Sequence, residues 1–270
     1  MRCAVDDPTA KADGGVLIGG MNTAKRVGAN VIRPLGPHSA SVHRLLRYVR
    51  ANGFLEGPEV IDVDIVAGTE TLTYLGGEIT NYPLTGAFRT DGALTSAAQL
   101  LRRFHEATEG FEALPDDDWF LPLQRPVEVM CHGDFAPYNC VINHGTVTGV
   151  FDFDIAHPGP QLWDVGYAAY RWALLTAPSN SDGFGTPAEQ RRRLRLFCNA
   201  YGADDILGVV VAAQQRLGLL VETIQSLASN GDATFSRHIA DGHDQLYLTD
   251  IAYLQEHQAF FAERTWTVPV

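Results

Sequence analysis

The chain has 270 residues, 46% hydrophobic and 19% charged, enough to bury a sizeable core and unlike a disordered or fibrous protein. Its 32 acidic side chains outnumber 20 lysines and arginines for a formal charge of −12, which disfavours nucleic acid or an anionic membrane as partner and suits cationic small molecules. No apolar run approaches the roughly eighteen residues that span a bilayer, the start Met1-Arg2-Cys3-Ala4-Val5-Asp6-Asp7 has no signal-peptide core, and Cys3, Cys131, Cys140 and Cys198 lack metal-ligand spacing, so a cytoplasmic protein with reduced, mostly buried thiols is expected.

Val16-Leu17-Ile18 runs into Gly19-Gly20, a turn that could cover a phosphate, although a lone Gly-Gly after a strand is more often an ordinary turn. Lys25 to Val27 and Asn30 to Arg33 read as a hairpin across Gly28. From Ser39, the residues Val42, Leu45, Leu46 and Val49 keep the spacing of one helical face, and Asn52-Gly53 supplies a stop. Val60 to Val66 and Glu70 to Leu75 form a strand pair with Gly68 in the turn. Gly76-Gly77 and the Pro- and Gly-containing stretch from Asn81 to Gly92 mark the domain boundary, dividing the chain into 1–75 and 76–270.

A helix follows over Ser96 to Glu106, with His105 beside its apolar stripe as a hydrogen-bonded core or border histidine. Asp116-Asp117-Asp118 reads as a solvated run. The last third carries helices over Pro187 to Tyr201, Asp204 to Ser229 and Ser236 to Ala262. Strands early and helices late predict an α+β chain of two lobes.

The chemistry concentrates between Val129 and Asp154. Asp134 and Asn139 sit on a loop, and a hairpin turning at Asn143-His144-Gly145 returns Asn139 to the Asp152 end of the partner strand. Metal-assisted phosphoryl transfer needs this set: a carboxylate that accepts the proton of an attacking hydroxyl, and oxygen ligands that hold Mg²⁺ on nucleotide phosphates. Asp134 is the candidate base, with Asn139 and Asp152 as candidate metal ligands. Asp134 and Asn139 are five residues apart, the spacing of the protein-kinase catalytic loop, with His-Gly-Asp in place of His-Arg-Asp.

His132-Gly133-Asp134 with Asn139, Val150-Phe151-Asp152-Phe153-Asp154 and Leu162-Trp163-Asp164-Val165-Gly166 together resemble the aminoglycoside phosphotransferase and choline kinase family. The resemblance implies a two-lobed protein-kinase-like fold, with a short β-rich N-lobe and a mainly helical C-lobe. It implies Mg²⁺ as cofactor, ATP or GTP as cosubstrate, and a small-molecule hydroxyl acceptor. By the same resemblance His132 braces the catalytic loop, Asp154 supports the metal site, and Asp164 ties the following helix to the loop. Gly19 and Gly20 cover the phosphates, and Tyr74-Leu75-Gly76 forms the hinge that receives the base.

Two positions depart from the family pattern. Arg33 stands where a lysine usually grips the phosphates, and a guanidinium fork is not equivalent to an ammonium. Ser39 to Arg50 contains no acidic residue to pair with it, and His43 is the nearest counterpart. These departures motivate a second reading, a kinase-like nucleotide-binding or regulatory protein with little transfer activity. A third, an aspartyl-phosphate phosphatase built on Asp152 and Asp154, is disfavoured by Ala156 two residues on. A cationic acceptor such as an aminoglycoside would draw on Glu222, Asp241, Asp244 or Asp250, although such carboxylates are more often simply the solvated faces of helices.

Overall fold

The computed structural model describes residues 16–18 and 23–263. Strands β1 (Val16–Ile18), β2 (Thr23–Val27), β3 (Asn30–Pro34), β4 (Val60–Asp64) and β5 (Thr69–Thr73) form one antiparallel sheet in the order β1-β2-β3-β5-β4. Helix α1 (Ser39–Ala51) lies between β3 and β4 in sequence and buries the expected stripe Val42, Leu45, Leu46 and Val49. It stops at Asn52, where Gly53 takes φ +89°. The glycine pair Gly19-Gly20 falls outside the described residues.

After β5 the backbone of Tyr74, Leu75 and Gly76 runs toward the helical part of the chain. Glu78 exchanges two backbone hydrogen bonds with Ile142, and the Asn143 amide donates to Gly76 O at 3.0 Å, so this crossing is fastened to a later strand. A short helix α2 (Gly86–Arg89) leads into α3 (Asp91–Ala107), which begins five residues before the expected Ser96. Thr90 explains the earlier start: its hydroxyl accepts from Ala93 N at 3.1 Å and caps a turn that Gly92 had made look unfavourable.

Strand β6 (Val129–Cys131) pairs with β9 (His157–Gly159), and β7 (Cys140–Asn143) pairs with β8 (Thr146–Val150). The turn between β7 and β8 puts His144 and Gly145 at φ +51° and +77°, the left-handed pair that a tight hairpin requires. Helices α4 (Gln161–Ala173), α5 (Pro187–Tyr201), α6 (Ile206–Ser229), α7 (Ala233–Ala240) and α8 (His243–Ala262) complete the chain. The expected single helix over Ser236 to Ala262 is two helices, broken where Gly242 takes φ +76°.

The core is continuous from α1 through α3 to α4, α5, α6 and α8. Helix α4 is buried on nearly all sides, and α6 crosses it so closely that a Cβ on Gly166 would stand 2.6 Å from Ala213 N. Among the described residues α6 is the one helix long and apolar enough to cross a membrane. Its Val209, Val210, Ala213 and Leu217 are packed into the core instead. Cys131, Cys140 and Cys198 are free and buried, as expected.

Candidate active site

The segment from His132 to Asn139 is a loop ending in a single 3₁₀ turn (Pro137–Asn139), held from several sides. Asp164, in the first turn of α4, accepts from the backbone N–H groups of His132 at 2.7 Å and Gly133 at 2.9 Å. His105 Nε2 donates to the same carboxylate at 3.0 Å, while the His105 ring meets the Tyr201 hydroxyl at 2.6 Å, so His105 is the hydrogen-bonded core histidine expected. Burial raises the Asp164 pKa, but the His105 hydrogen bond and the two loop amides outweigh it and bring the carboxyl down to about 2.

Gly133 takes φ +81°, and a Cβ there would lie 2.5 Å from Ile155 O. Backbone thus occupies the space that the arginine of a His-Arg-Asp loop would need, which accounts for the His-Gly-Asp sequence. On the other side, Arg216 from α6 donates from Nη2 to Gly133 O at 2.9 Å. His132 donates from Nε2 to Phe151 O at 3.1 Å and accepts from Asp134 N at 3.3 Å, bridging the loop to the strand end that carries Asp152. Burial lowers the His132 pKa, consistent with this neutral, one-donor tautomer.

Asp134 is 5% exposed. The hydroxyls of Tyr138 and Tyr167 donate to its Oδ1 at 2.6 and 2.8 Å, and Asn139 Nδ2 donates to Oδ2 at 3.0 Å. Burial pushes this carboxyl up, while the two phenol hydrogen bonds and the Arg171 guanidinium pull it down. Because the Asn139 amide nitrogen is engaged by Asp134, its oxygen is turned elsewhere; that Oδ1 is buried without a hydrogen-bond partner. Phe151 N donates to Asn139 O at 2.9 Å, which brings Asn139 beside the start of the Asp152 segment as the hairpin reading anticipated.

Asp152 takes φ +65°, an unusual backbone for a non-glycine residue and one found at working sites. Removal from water pushes its carboxyl up to about 7, with Asp154 and Asp134 adding and Arg33 opposing. An orphaned amide oxygen and a carboxylate are hard oxygen donors, and Mg²⁺ binds through one or two protein oxygens plus water and phosphate. The residues therefore fit the ion. Among the described residues no group of three or more His, Cys, Asp or Glu could hold a metal by itself.

Arg33 is not free-standing. Its Nη1 and Nη2 fork onto the two oxygens of Asp154 at 3.0 and 2.6 Å, and its Nε donates to Glu70 at 2.7 Å. His43 Nε2 bonds the other oxygen of Glu70. Asp154 is thus joined to the arginine of β3. Tyr74 is partly buried under the Arg26 guanidinium, 3.9 Å above its ring, and its N–H is donated to Ala29 O. Leu75 reaches over Gly149.

Sequence reasoning missed Glu70, Tyr138, Tyr167 and Arg216. Tyr138 stands inside the quoted motif, where a phenol four residues after Asp134 was the available signal. The other three reach the site through tertiary contacts. Of the carboxylates considered for a cationic acceptor, Asp250 is fully buried and accepts from Tyr170, Ala177 N and Asn180, and Asp244 is buried beside Gln225. Glu222 and Asp241 remain exposed. In the acidic run Asp117 is tied to Arg44 and capped by Leu114 N, so only its neighbours are solvated. A small, mostly apolar cavity of about 30 Å³ lies among α6, α7 and α8, walled by Phe120, Ile155, Leu220, Ile224, Phe235 and Tyr247. It touches the catalytic loop through Ile155 and Arg216, and no Asp or Glu lines it.

Residues 111–197, which contain the whole of this loop and metal segment, match the profile of the phosphotransferase enzyme family. A curated relative, the trifolitoxin immunity protein of Rhizobium leguminosarum bv. trifolii, is 32% identical over 195 residues, 68% of this chain and 72% of the relative. The chain belongs to the phosphotransferase enzyme family. Its members are phosphotransferases acting on hydroxyl groups of small molecules. The fold is shared with an amicoumacin kinase solved with AMP-PNP and Ca²⁺ (TM-score 0.61, 12% identity, covering 96% of this chain and 90% of that one). It is shared also with a choline/ethanolamine kinase family protein from Mesorhizobium loti (0.52, 17%, 92% and 94%) and with an aminoglycoside phosphotransferase bound to streptomycin and ATP (0.52, 14%, 84% and 91%). The strand-rich first part and helical remainder are the two-lobed kinase-like arrangement.

Proposed function

We propose that this phosphotransferase moves the γ-phosphoryl group of ATP or GTP to a hydroxyl of a small acceptor, in the cytoplasm, with the nucleotide held between residues 1–75 and 76–270. The observation that carries this reading is the meeting of Asp134, Asn139 and Asp152, with the Asn139 side-chain oxygen buried and unpartnered. Asn139 Oδ1 and Asp152 would hold Mg²⁺, which when bound neutralises charge on the phosphates. Asp134 accepts a hydrogen bond from the attacking hydroxyl and takes its proton at Oδ1 or Oδ2. Tyr138, Tyr167 and Asn139 keep that carboxylate in one orientation. Asp164 and His132 fix the loop without touching the reacting atoms. Tyr74 and Leu75 would offer the base a backbone edge, and Gly19-Gly20 would cover the phosphates.

For the acceptor, Asp244 and Asp250 are engaged within the fold, which disfavours a polycation held by these two carboxylates. The relative named as an immunity protein suggests a toxic compound as the molecule modified. A second reading, a nucleotide-binding regulator, draws on Arg33, whose two Nη groups are both engaged by Asp154.

Calorimetric titration with ATP and with GTP, each with and without Mg²⁺, followed by an acceptor screen, separates these readings. Metal-dependent binding with transfer supports the kinase, and binding without transfer to any acceptor supports the regulator. In an active protein, Asp134→Asn is expected to lower kcat by about a hundredfold or more while nucleotide affinity changes little. A variant retaining full turnover removes Asp134 from the role of base.

A further inference from the structure

Helix α1 has no acidic residue, and Arg33 would need one to hold it in place. We propose that Glu70 is a positioning residue for nucleotide binding, a carboxylate supplied by the sheet in place of one on the helix. The proposal rests on the kinase reading above and concerns how Arg33 is aimed at the phosphates.

The register of the sheet puts Glu70 directly opposite Arg33 on the neighbouring strand, so the two side chains share a face. Glu70 is 1% exposed, and both of its oxygens are occupied: Oε1 by Arg33 Nε at 2.7 Å and Oε2 by His43. A carboxylate this deep is retained only when donors compensate its lost hydration. Burial raises its pKa, and the His43 bond and the Arg33 charge more than reverse that.

Anchoring Nε leaves the guanidinium one orientation, with the Nη edge directed to Asp154, two residues beyond Asp152. A guanidinium carries five N–H donors. With one taken by Glu70 and two by Asp154, each Nη keeps a further N–H among the described contacts. Because Glu70 belongs to β5, that aim is set by strand pairing. Helix α1 contributes only through His43, so removing His43 should matter less than removing Glu70.

The test compares binding of Mg²⁺·AMP-PNP and of adenosine, which has no phosphates, to the parent chain and to folded variants verified by circular dichroism. Glu70→Gln should weaken Mg²⁺·AMP-PNP at least tenfold and leave adenosine within about twofold, whereas a general loss of structure would move both. His43→Glu combined with Glu70→Gln returns a carboxylate from the helix side and should recover most of the lost affinity. Glu70→Asp, which keeps the charge with a shorter reach, should fall between and supplies the comparison if Glu70→Gln does not fold. Unchanged nucleotide binding in Glu70→Gln, or equal loss of both ligands, overturns the proposal, as does a folded double variant with no recovery. A parent chain that binds adenosine but gains nothing from Mg²⁺ and phosphates overturns the kinase reading itself, and the assignment of Glu70 with it.

Discussion

Asp164 accepts three hydrogen bonds in a site closed to water, and two come from the backbone of the loop that bears Asp134. Its folded pKa, about 2, lies below the ordinary carboxyl value. It therefore contributes stability that is complete above pH ~4 and disappears as pH falls toward 2, worth about 2 kcal/mol. Asp164→Asn keeps the shape but turns an amide donor toward one of the loop N–H groups. Urea unfolding at pH 7 should show a loss of about 3 kcal/mol, and the gap between parent and variant should narrow as pH drops from 4 to 2. A gap that is independent of pH would show that the charge of Asp164 is not what the loop depends on. The legibility of these residues follows sequence distance. Asp134 and Asn139 could be read because five residues of chain fix their separation, and Asp152 because one tight hairpin does. Glu70 lies 37 residues from Arg33, on a strand whose alternation does not announce which face is buried. No local pattern could have paired them. Tyr167 reaches Asp134 from a helix 33 positions away and was hidden for the same reason.

At the scale of elements, periodicity located most helices, and their ends were decided by caps and glycines. Helix α5 runs from Pro187 to Tyr201 as read, because Thr186 caps its start and Gly202 at φ +94° ends it. The break between α7 and α8 was obscured because Asp241-Gly242 interrupts an otherwise continuous helical pattern with only two residues. Strand β9 is His157-Pro158-Gly159, three residues with no strand propensity, which exists because β6 lies beside it. Two glycines in the helical part separate packing from propensity. At Gly166 an added Cβ meets the backbone of α6 at 2.6 Å, while at Gly218 nothing lies within 4 Å. Gly166→Ala should therefore cost about 1–3 kcal/mol and reduce turnover, since α4 carries both Asp164 and Tyr167. Gly218→Ala should stabilise by about 0.5–1 kcal/mol with activity unchanged. Thermal melts of the two variants check the pair, and equal shifts would show that helix propensity alone is at work.

For the molecule as a whole, the proposed function makes Asp152, whose carboxyl burial pushes up, the residue through which pH would act on metal binding. Asp152 must lose its proton to bind a cation, and its pKa is pushed up to about 7. Stabilisation of the protein by Mg²⁺ with ATP, read as a rise in Tm, should be large at pH 8, fall as pH is lowered through 7 and vanish on chelation with EDTA. Asp152→Ala should abolish it at every pH. A Tm rise that persists at pH 5.5, or in the variant, would move the metal elsewhere. The α+β architecture was legible because strand and helix periodicities differ. The contacts that join the strands to the later segments were not, because they link distant residues, among them the fork from Arg33 to Asp154 across 121 residues. That fork has a kinetic meaning. Its partner is an anion presented by two oxygens, so under the proposed function an arriving phosphate would replace it one oxygen at a time, and the rate of nucleotide entry would track how readily Asp154 lets go.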